Sequence, residues 1–328
     1  MKRIFFTLLK ALSLNYYFKR KQANTLLILM FHRVNDTGSP FYCPMPVNVF
    51  RDLCAFIRER YEVIHISEIR SHFKRTTKPA AIISFDDGHY DIMENAFPVL
   101  SQLGLKFNIN IDTEILDTRK PQDFVRVYDV LNHTSIESYL HSRLMQEPIV
   151  INRANTIATE KQFTKLLSGL TTQEKREVTD DLAVKAGMQE QYYARMLSRD
   201  DLRFLADKNV EFGAHSHTHS FLTNISKAQL IDELTRPKQI LEDVTGKKIE
   251  VLAYPNGIYN AEVEKMAVST GYKFLLQTGD EINHVVSNDN AYNSYKRVSQ
   301  YHHTLAEALA HTYGVTDVLR NIIRKFKS

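Results

Sequence analysis

Ala80-Ala81-Ile82-Ile83-Ser84-Phe85-Asp86-Asp87-Gly88 runs from apolar and β-branched residues straight into two adjacent carboxylates and a glycine. The apolar part is too short and too sharply bounded for a helix and predicts a buried strand. Neighbouring strand residues point to opposite faces, so Asp86 and Asp87 belong where the strand gives way to a loop. Gly88 supplies the tight turn there. Two carboxylates side by side repel each other unless a cation or a shared proton relieves them. Asp-Gly is also an ordinary turn pair, so this stretch alone leaves a structural and a functional reading open.

The surrounding chain favours a large α/β protein. Its 328 residues suffice for one big domain or two smaller ones. A hydrophobic share of 43% and a charged share of 24% are ordinary for a globular protein. The net charge of +4 is unevenly spread. Lys2, Arg3, Lys10, Lys19, Arg20, Lys21 and Arg33 are the charged residues of positions 1–35, which hold no acid. The remainder is weakly acidic, which argues against nucleic acid as a partner and for an anionic surface near the N-terminus. Cys43 and Cys54 offer neither a disulfide framework nor a zinc-finger spacing and read as buried thiols in a reducing compartment.

The apolar segment Ile4–Leu14 is interrupted by Lys10 and is too short to span a bilayer. That lysine and the missing small-residue cleavage pattern count against a signal peptide. Residues 1–24 therefore read as a basic segment, either an amphipathic helix lying on a membrane surface through residues 1–21 or a first helix packed on the domain. The expected location is cytoplasmic, peripheral to the inner membrane.

Further along, strands are expected at 25–31, 61–66, 80–85, 105–111, 209–214, 249–254, 272–277 and 297–302. Helical spacing falls between them, at 47–60, 68–73, after Gly88 to Leu103, and at 198–207, 226–244, 261–270 and 305–327. Pro237 is expected to kink or break the helix it sits in. Residues 114–200 hold few strand-like runs, and 136–145, 159–170 and 173–186 show helical periodicity, so this part reads as a helical insertion. Roughly eight strands alternating with helices predict a parallel sheet closed into a barrel over residues 25–328.

In such a barrel, reactive groups project from the C-terminal ends of the strands. His32, Asp86, Asp87, His215, His219 and the turn Tyr254-Pro255-Asn256-Gly257 each follow directly on an expected strand. His215 and His219 are four apart, so a tight loop or one helical turn can bring both imidazoles to one ion. His217, between them, is expected to point elsewhere.

Together these residues resemble the polysaccharide deacetylases of the NodB-homology type, carbohydrate esterase family 4. That family is marked by T/S-F-D-D-G, present as Ser84-Phe85-Asp86-Asp87-Gly88, and by H-[S/T]-x-x-H, present as His215-Ser216-His217-Thr218-His219. Its R-x-P-Y-G motif is matched by Ala253-Tyr254-Pro255-Asn256-Gly257. Leu29-Met30-Phe31-His32-Arg33-Val34 looks like the exopolysaccharide-biosynthesis branch, in which the motif with the catalytic histidine is permuted to the N-terminus. The likeness covers about residues 25–115 and 198–302.

The resemblance implies a distorted TIM-like (β/α) barrel and a divalent metal on Asp87, His215 and His219. Zinc is the first expectation, with cobalt, nickel, iron or manganese as alternatives. It also implies Asp86 as general base and His32 as general acid. Tyr254, Pro255, Asn256 and Gly257 would border the substrate, the Asn256 N–H serving the oxyanion, and Ser216 would support the ligands. Two positions depart from the pattern. The arginine that pairs with the base is here Ala253, with Arg297 as a substitute from a late strand, and the motif tyrosine is Asn256. The implied reaction is N-deacetylation of an amino sugar in a polysaccharide or lipid-linked saccharide. A carbohydrate-binding pseudoenzyme and an amidohydrolase of small non-sugar amides are the competing readings.

Overall fold

Seven parallel strands close into a ring in the computed structural model, which describes residues 7–8, 11–12, 23–37, 39–285 and 292–315. They are β1 (Thr25–Phe31), β2 (Ala80–Phe85), β3 (Phe107–Ile111), β4 (Val210–Ala214), β5 (Val251–Ala253), β6 (Phe274–Thr278) and β7 (Asn293–Ser299). Each pairs with the next, and β1 closes the ring by pairing with both β2 and β7. Helices pack outside, among them α1 (Val47–Arg60) and α3 (Phe97–Leu103), while α2 (Ile69–Arg75) lies beneath the barrel.

Every residue of β1, β2 and β3 is buried, because both faces of the ring are covered. The period-two alternation sorts them. Leu27, Leu29, Phe31, Ala81, Ile83 and Phe85 join the cluster that packs on α1. Leu26, Ile28, Ala80 and Ile82 fill the barrel instead, above a floor made by Ile64, Ile66, Ile69 and Phe73. Glu211, inward on β4, accepts the Ile66 and Ser67 N–H groups and pins that floor. Higher in the barrel the inward positions turn polar: Ser84, Asp86, Asn108, Asn110 and Arg297 are all buried.

The ring has one strand fewer than the sequence suggests. Of 61–66, only Glu62–Val63 pairs, with the start of β2, while Ile64 and Ile66 turn under the barrel as its floor. The last strand begins earlier than 297–302, at Asn293, where it takes its register from Phe274, and it ends at Ser299. Its polar opening residues hid it from a hydrophobicity reading.

Between β3 and β4 lie α4 (Asp123–His133), α5 (Thr156–Ser168) and α6 (Thr172–Ala186), with a core of their own around Val127, Leu131, Phe163, Val178 and Leu182. Residues 136–145 are not helical. Ser138–Tyr139 pairs antiparallel with Ile149–Val150, and the buried Tyr139 donates its hydroxyl to the Val178 carbonyl. Thr171 and Glu174 form a reciprocal cap at the start of α6.

The chain then continues through α7 (Arg199–Ala206), α8 (Lys227–Thr245), α9 (Ala261–Ser269) and α10 (Leu305–Thr312). Pro237 does not break α8, whose Leu230, Leu234, Pro237, Leu241 and Val244 are buried along one side. The basic C-terminal residues Arg320, Arg324, Lys325 and Lys327 lie outside the described residues. So does most of segment 1–24, of which Leu8 and Leu12 are helical and exposed. Both cysteines are free, but only Cys54 is buried; Cys43 is half-exposed, with Sγ 3.2 Å from His303 Nε2. No helix among the described residues is long and apolar enough to cross a membrane.

Gly213 marks where the interior is tightest. A Cβ there would run into Asn110 Oδ1 and stand 2.9 Å from Val251 Cγ1. Gly213→Ala should therefore lower stability by about 1–3 kcal/mol. Urea unfolding should give an earlier midpoint at unchanged slope; an unmoved midpoint would mean that the interior yields without cost.

Candidate active site

Asp86 and Asp87 leave β2 in different directions because the backbone turns left-handed between them. Asp87 has φ 71° and Gly88 φ 76°. The positive φ calls for glycine at 88, and a Cβ there would also press on the Ile115 Cδ1 methyl, 2.7 Å away.

Asp86 keeps the inward parity of β2. Its Oδ1 accepts from Arg297 Nη1 at 2.7 Å and from Asn110 Nδ2 at 2.8 Å, and Asn110 also donates to Ser84 Oγ. Burial raises the Asp86 pKa, but the Arg297 guanidinium, with His215 and His32 adding to it, outweighs burial and holds the carboxyl below the usual 3.8. Since the folded pKa lies below the unfolded one, this pairing adds stability that is fully present above pH 3.8 and is lost as pH falls toward the folded value. Arg297 thus stands where a motif arginine at position 253 would otherwise act.

Asp87 turns toward the histidine loop that follows β4. Its Oδ1 lies 3.5 Å from His215 Nε2 and 3.6 Å from His219 Nε2, and one donor atom from each of the three residues lies within 4.8 Å of the others. Asp87 Oδ1 is buried without a hydrogen bond, while Oδ2 accepts from the Tyr42 hydroxyl at 2.8 Å. His215 Nδ1 lies 2.8 Å from the Ala253 carbonyl, a contact that requires the proton on Nδ1 and leaves Nε2 as a bare lone pair. Burial lowers the pKa of both histidines, that of His219 to about 3 against the pull of Asp87, so both rings are neutral at pH 7.

An unpartnered carboxylate oxygen facing two neutral imidazoles is the donor set that a divalent ion requires. Ligands of a tetrahedral ion at about 2.0–2.1 Å stand roughly 3.3–3.4 Å apart, close to the observed separations. The residues fit a metal.

The histidine loop is held from below. Glu233 of α8 accepts the N–H groups of His217 and Thr218 and the Thr218 hydroxyl. His217 is thereby turned from the other two, its Nδ1 2.9 Å from Thr113 Oγ1. Ser216 is buried with φ 65°, and its Oγ makes no hydrogen bond, so its contribution is backbone shape. Left-handed φ values recur at Tyr42, His219 and Asn256, a concentration of backbone strain around one cleft.

That cleft has a volume of about 260 Å³ and is bordered by His32, Asp86, Asp87, His215, His219 and Arg297. His32 follows β1 and is half-buried, its ring centroid 6.1 Å from that of Tyr42. Tyr254, Asn256 and Gly257 line the cleft, with Tyr254 stacked on Tyr259; Pro255 is buried within the turn. Phe124 and Tyr128, both of α4, supply an aromatic wall.

Several of these residues escaped the sequence reading. Asn108 and Asn110 carry a usable signal, being polar at every second position of an otherwise apolar strand. Tyr42 and Glu233 carry none, since one comes from an irregular loop and the other is one acid within a long helix.

Comparison with known proteins agrees with this fold. A family model described as polysaccharide deacetylase matches residues 73–275. YxkH of Bacillus subtilis (strain 168), a curated protein named for the same family, is 24% identical over 82 residues, which are 25% of this chain and 29% of that protein. This chain therefore spans less than a third of that relative's length. Among solved structures, the fold is similar to the Streptococcus pyogenes deacetylase PplD in complex with acetate, with TM-score 0.58 and 16% identity, covering 89% of this chain and 99% of that one. It is also similar to IcaB from Ammonifex degensii, with TM-score 0.56 and 13% identity over 89% and 97% of the two chains. The family model leaves β1 and β7 outside its bounds, although they complete the ring and bring His32 and Arg297 to the cleft. With well over half of its residues under that model, the chain belongs to the polysaccharide deacetylase family.

Proposed function

We propose that this protein is a metal-dependent hydrolase that removes N-acetyl groups from an amino sugar in a polysaccharide or a lipid-linked glycan precursor. The reading is carried by one observation: the donor set Asp87, His215 and His219 shares a cleft with a separately held carboxylate, Asp86, and an imidazole, His32. A divalent ion bound by that set, zinc being the first choice for nitrogen and carboxylate donors, supplies the Lewis acidity that a poorly electrophilic amide needs.

Asp86 acts as general base. Arg297 and Asn110 engage Oδ1, so Oδ2 is the atom that takes the proton of the attacking water. Its depressed pKa keeps it ionised across the neutral range. His32, on the cleft wall after β1, gives a proton to the departing amine. The left-handed Asn256 in the turn after β5 offers its N–H to the developing oxyanion. Phe124 and Tyr128 exclude water and give a sugar ring a flat apolar face. In the proposed organisation, residues 25–328 form the catalytic barrel with its insertion at about 114–200. Residues 1–21, basic and rich in aromatics, hold it peripherally at a membrane, where a lipid-linked substrate resides.

Acetate release from N-acetylated saccharides should cease with a chelator and return with added divalent ion. Asp86→Asn should bind metal normally yet turn over about 10²–10⁴-fold more slowly, because it loses a base and no ligand; full activity in that variant would remove Asp86 from the chemistry.

Arg297→Gln leaves the burial of Asp86 unopposed by its strongest partner. The acid limb of kcat/KM should move upward by at least about one pH unit, and stability should fall by about 3 kcal/mol. An unshifted limb would show that Arg297 does not tune the base.

Deleting residues 1–21 should move the protein from the membrane to the soluble fraction. Equal partitioning of both forms would leave those residues as a segment packed on the domain.

A further inference from the structure

Lys175 borders the cleft without an ionic partner. It closes the first turn of α6, and among the described residues its Nζ has neither a hydrogen bond nor an ion pair, only a position 4.6 Å from the centroid of the Phe221 ring. Two carboxylates act on it from a distance, Asp123 and Glu233, and both are engaged elsewhere. Asp123 pairs with Arg126, and Glu233 spends its oxygens on the histidine loop. Glu160, a further carboxylate on the cleft, accepts the Tyr42 N–H. The neighbouring Arg176 is closed off by Glu114. Burial draws the Lys175 pKa below the ordinary 10.5, against the pull of Asp123 and Glu233.

Its place along the cleft gives this cation a use. A second hollow of about 380 Å³ abuts the first and shares Thr172, Lys175, Ser220 and Phe221 with it. Beyond that neck the walls carry polar side chains such as Gln173, Asn224 and Gln229. Thr172 Oγ1 and Ser220 Oγ approach to 3.3 Å on the shared wall, so a saccharide whose acetylated unit lies at Asp87, His215 and His219 meets Lys175 at this narrowing of the cleft.

Resting on the deacetylase reading above, we propose that Lys175 receives a negatively charged group, a carboxylate or a phosphate, carried by the unit next to the acetylated sugar. The preferred substrate is then an anionic acetylated saccharide and not a neutral homopolymer. A charge-assisted hydrogen bond in a partly desolvated neck is strong enough to set that preference. Phe221 presents its ring to the ammonium itself, holding Nζ at the border of the cleft.

The test compares acetate release from three matched N-acetylated saccharides: a neutral one, one with a neighbouring uronic acid, and one with a neighbouring phosphate. Wild-type protein should favour at least one anionic form by about tenfold in kcat/KM, expressed through KM. Lys175→Gln should erase that ratio, and Lys175→Arg should restore most of it. The uronic acid and phosphate arms identify which anion the neck accepts. A ratio unchanged in Lys175→Gln, or a wild-type preference for the neutral saccharide, overturns the proposal. Equilibrium binding of the same saccharides separates this from the parent reading. If no saccharide yields acetate while Lys175→Gln still weakens anionic binding about tenfold, the deacetylase assignment fails and the anion site stands. If binding is also indifferent to Lys175, both fail.

Discussion

Two carboxylates adjacent in sequence cannot share one buried environment without cost, and the site is built on how they are separated. One left-handed step at Asp87 leaves Asp86 on the barrel axis and swings Asp87 toward the loop after β4. Asp86 then meets a guanidinium from β7, on the far side of β1, and Asp87 meets two neutral imidazoles and a phenol. The first carboxylate is compensated by protein charge. The second presents an oxygen that nothing in the protein satisfies. Burial of such an atom is costly unless a ligand completes it, which is why its isolation speaks of a cation and not of a packing accident.

Support for this division comes from elements that never touch the reacting atoms. Tyr42 occupies Oδ2 of Asp87 and so directs Oδ1 to the histidines. The Ala253 carbonyl fixes the tautomer of His215, and Glu233 ties down the backbone of the loop that carries His219. Strained backbone at Tyr42, Asp87, Ser216, His219 and Asn256 persists because these contacts over-determine it. The insertion between β3 and β4 adds the aromatic wall from α4 and, through α6, the lysine at the neck of the cleft. Chemistry is thus placed by the barrel, and the shape of the cleft largely by the insertion.

The parts legible in the sequence were those carried by local patterns. Asp86-Asp87-Gly88 and the paired histidines announce themselves because ligand and turn chemistry act within a few residues. The buried strands announce themselves because both faces of the ring are covered. Long-range closure was harder to read. Arg297, 211 residues from Asp86, was reached only as the substitute for a missing motif arginine, and Tyr42, 45 residues from Asp87 in a loop, was not reached at all. Ile64 and Ile66 look like strand residues because the same hydrophobicity serves a barrel floor. Helical periodicity at 136–145 failed for a similar reason, since Tyr139 is buried in a small irregular core that needs no helix.

The most direct measurement is anomalous diffraction, at the absorption edge of the bound metal, from crystals of the metal-loaded protein. Expected is a single ion about 2.0–2.2 Å from Asp87 Oδ1 and from Nε2 of both His215 and His219, with Tyr42 still on Asp87 Oδ2. An ion bound elsewhere, or a fully loaded crystal in which Asp87 stands apart from those imidazoles, would contradict the central claim.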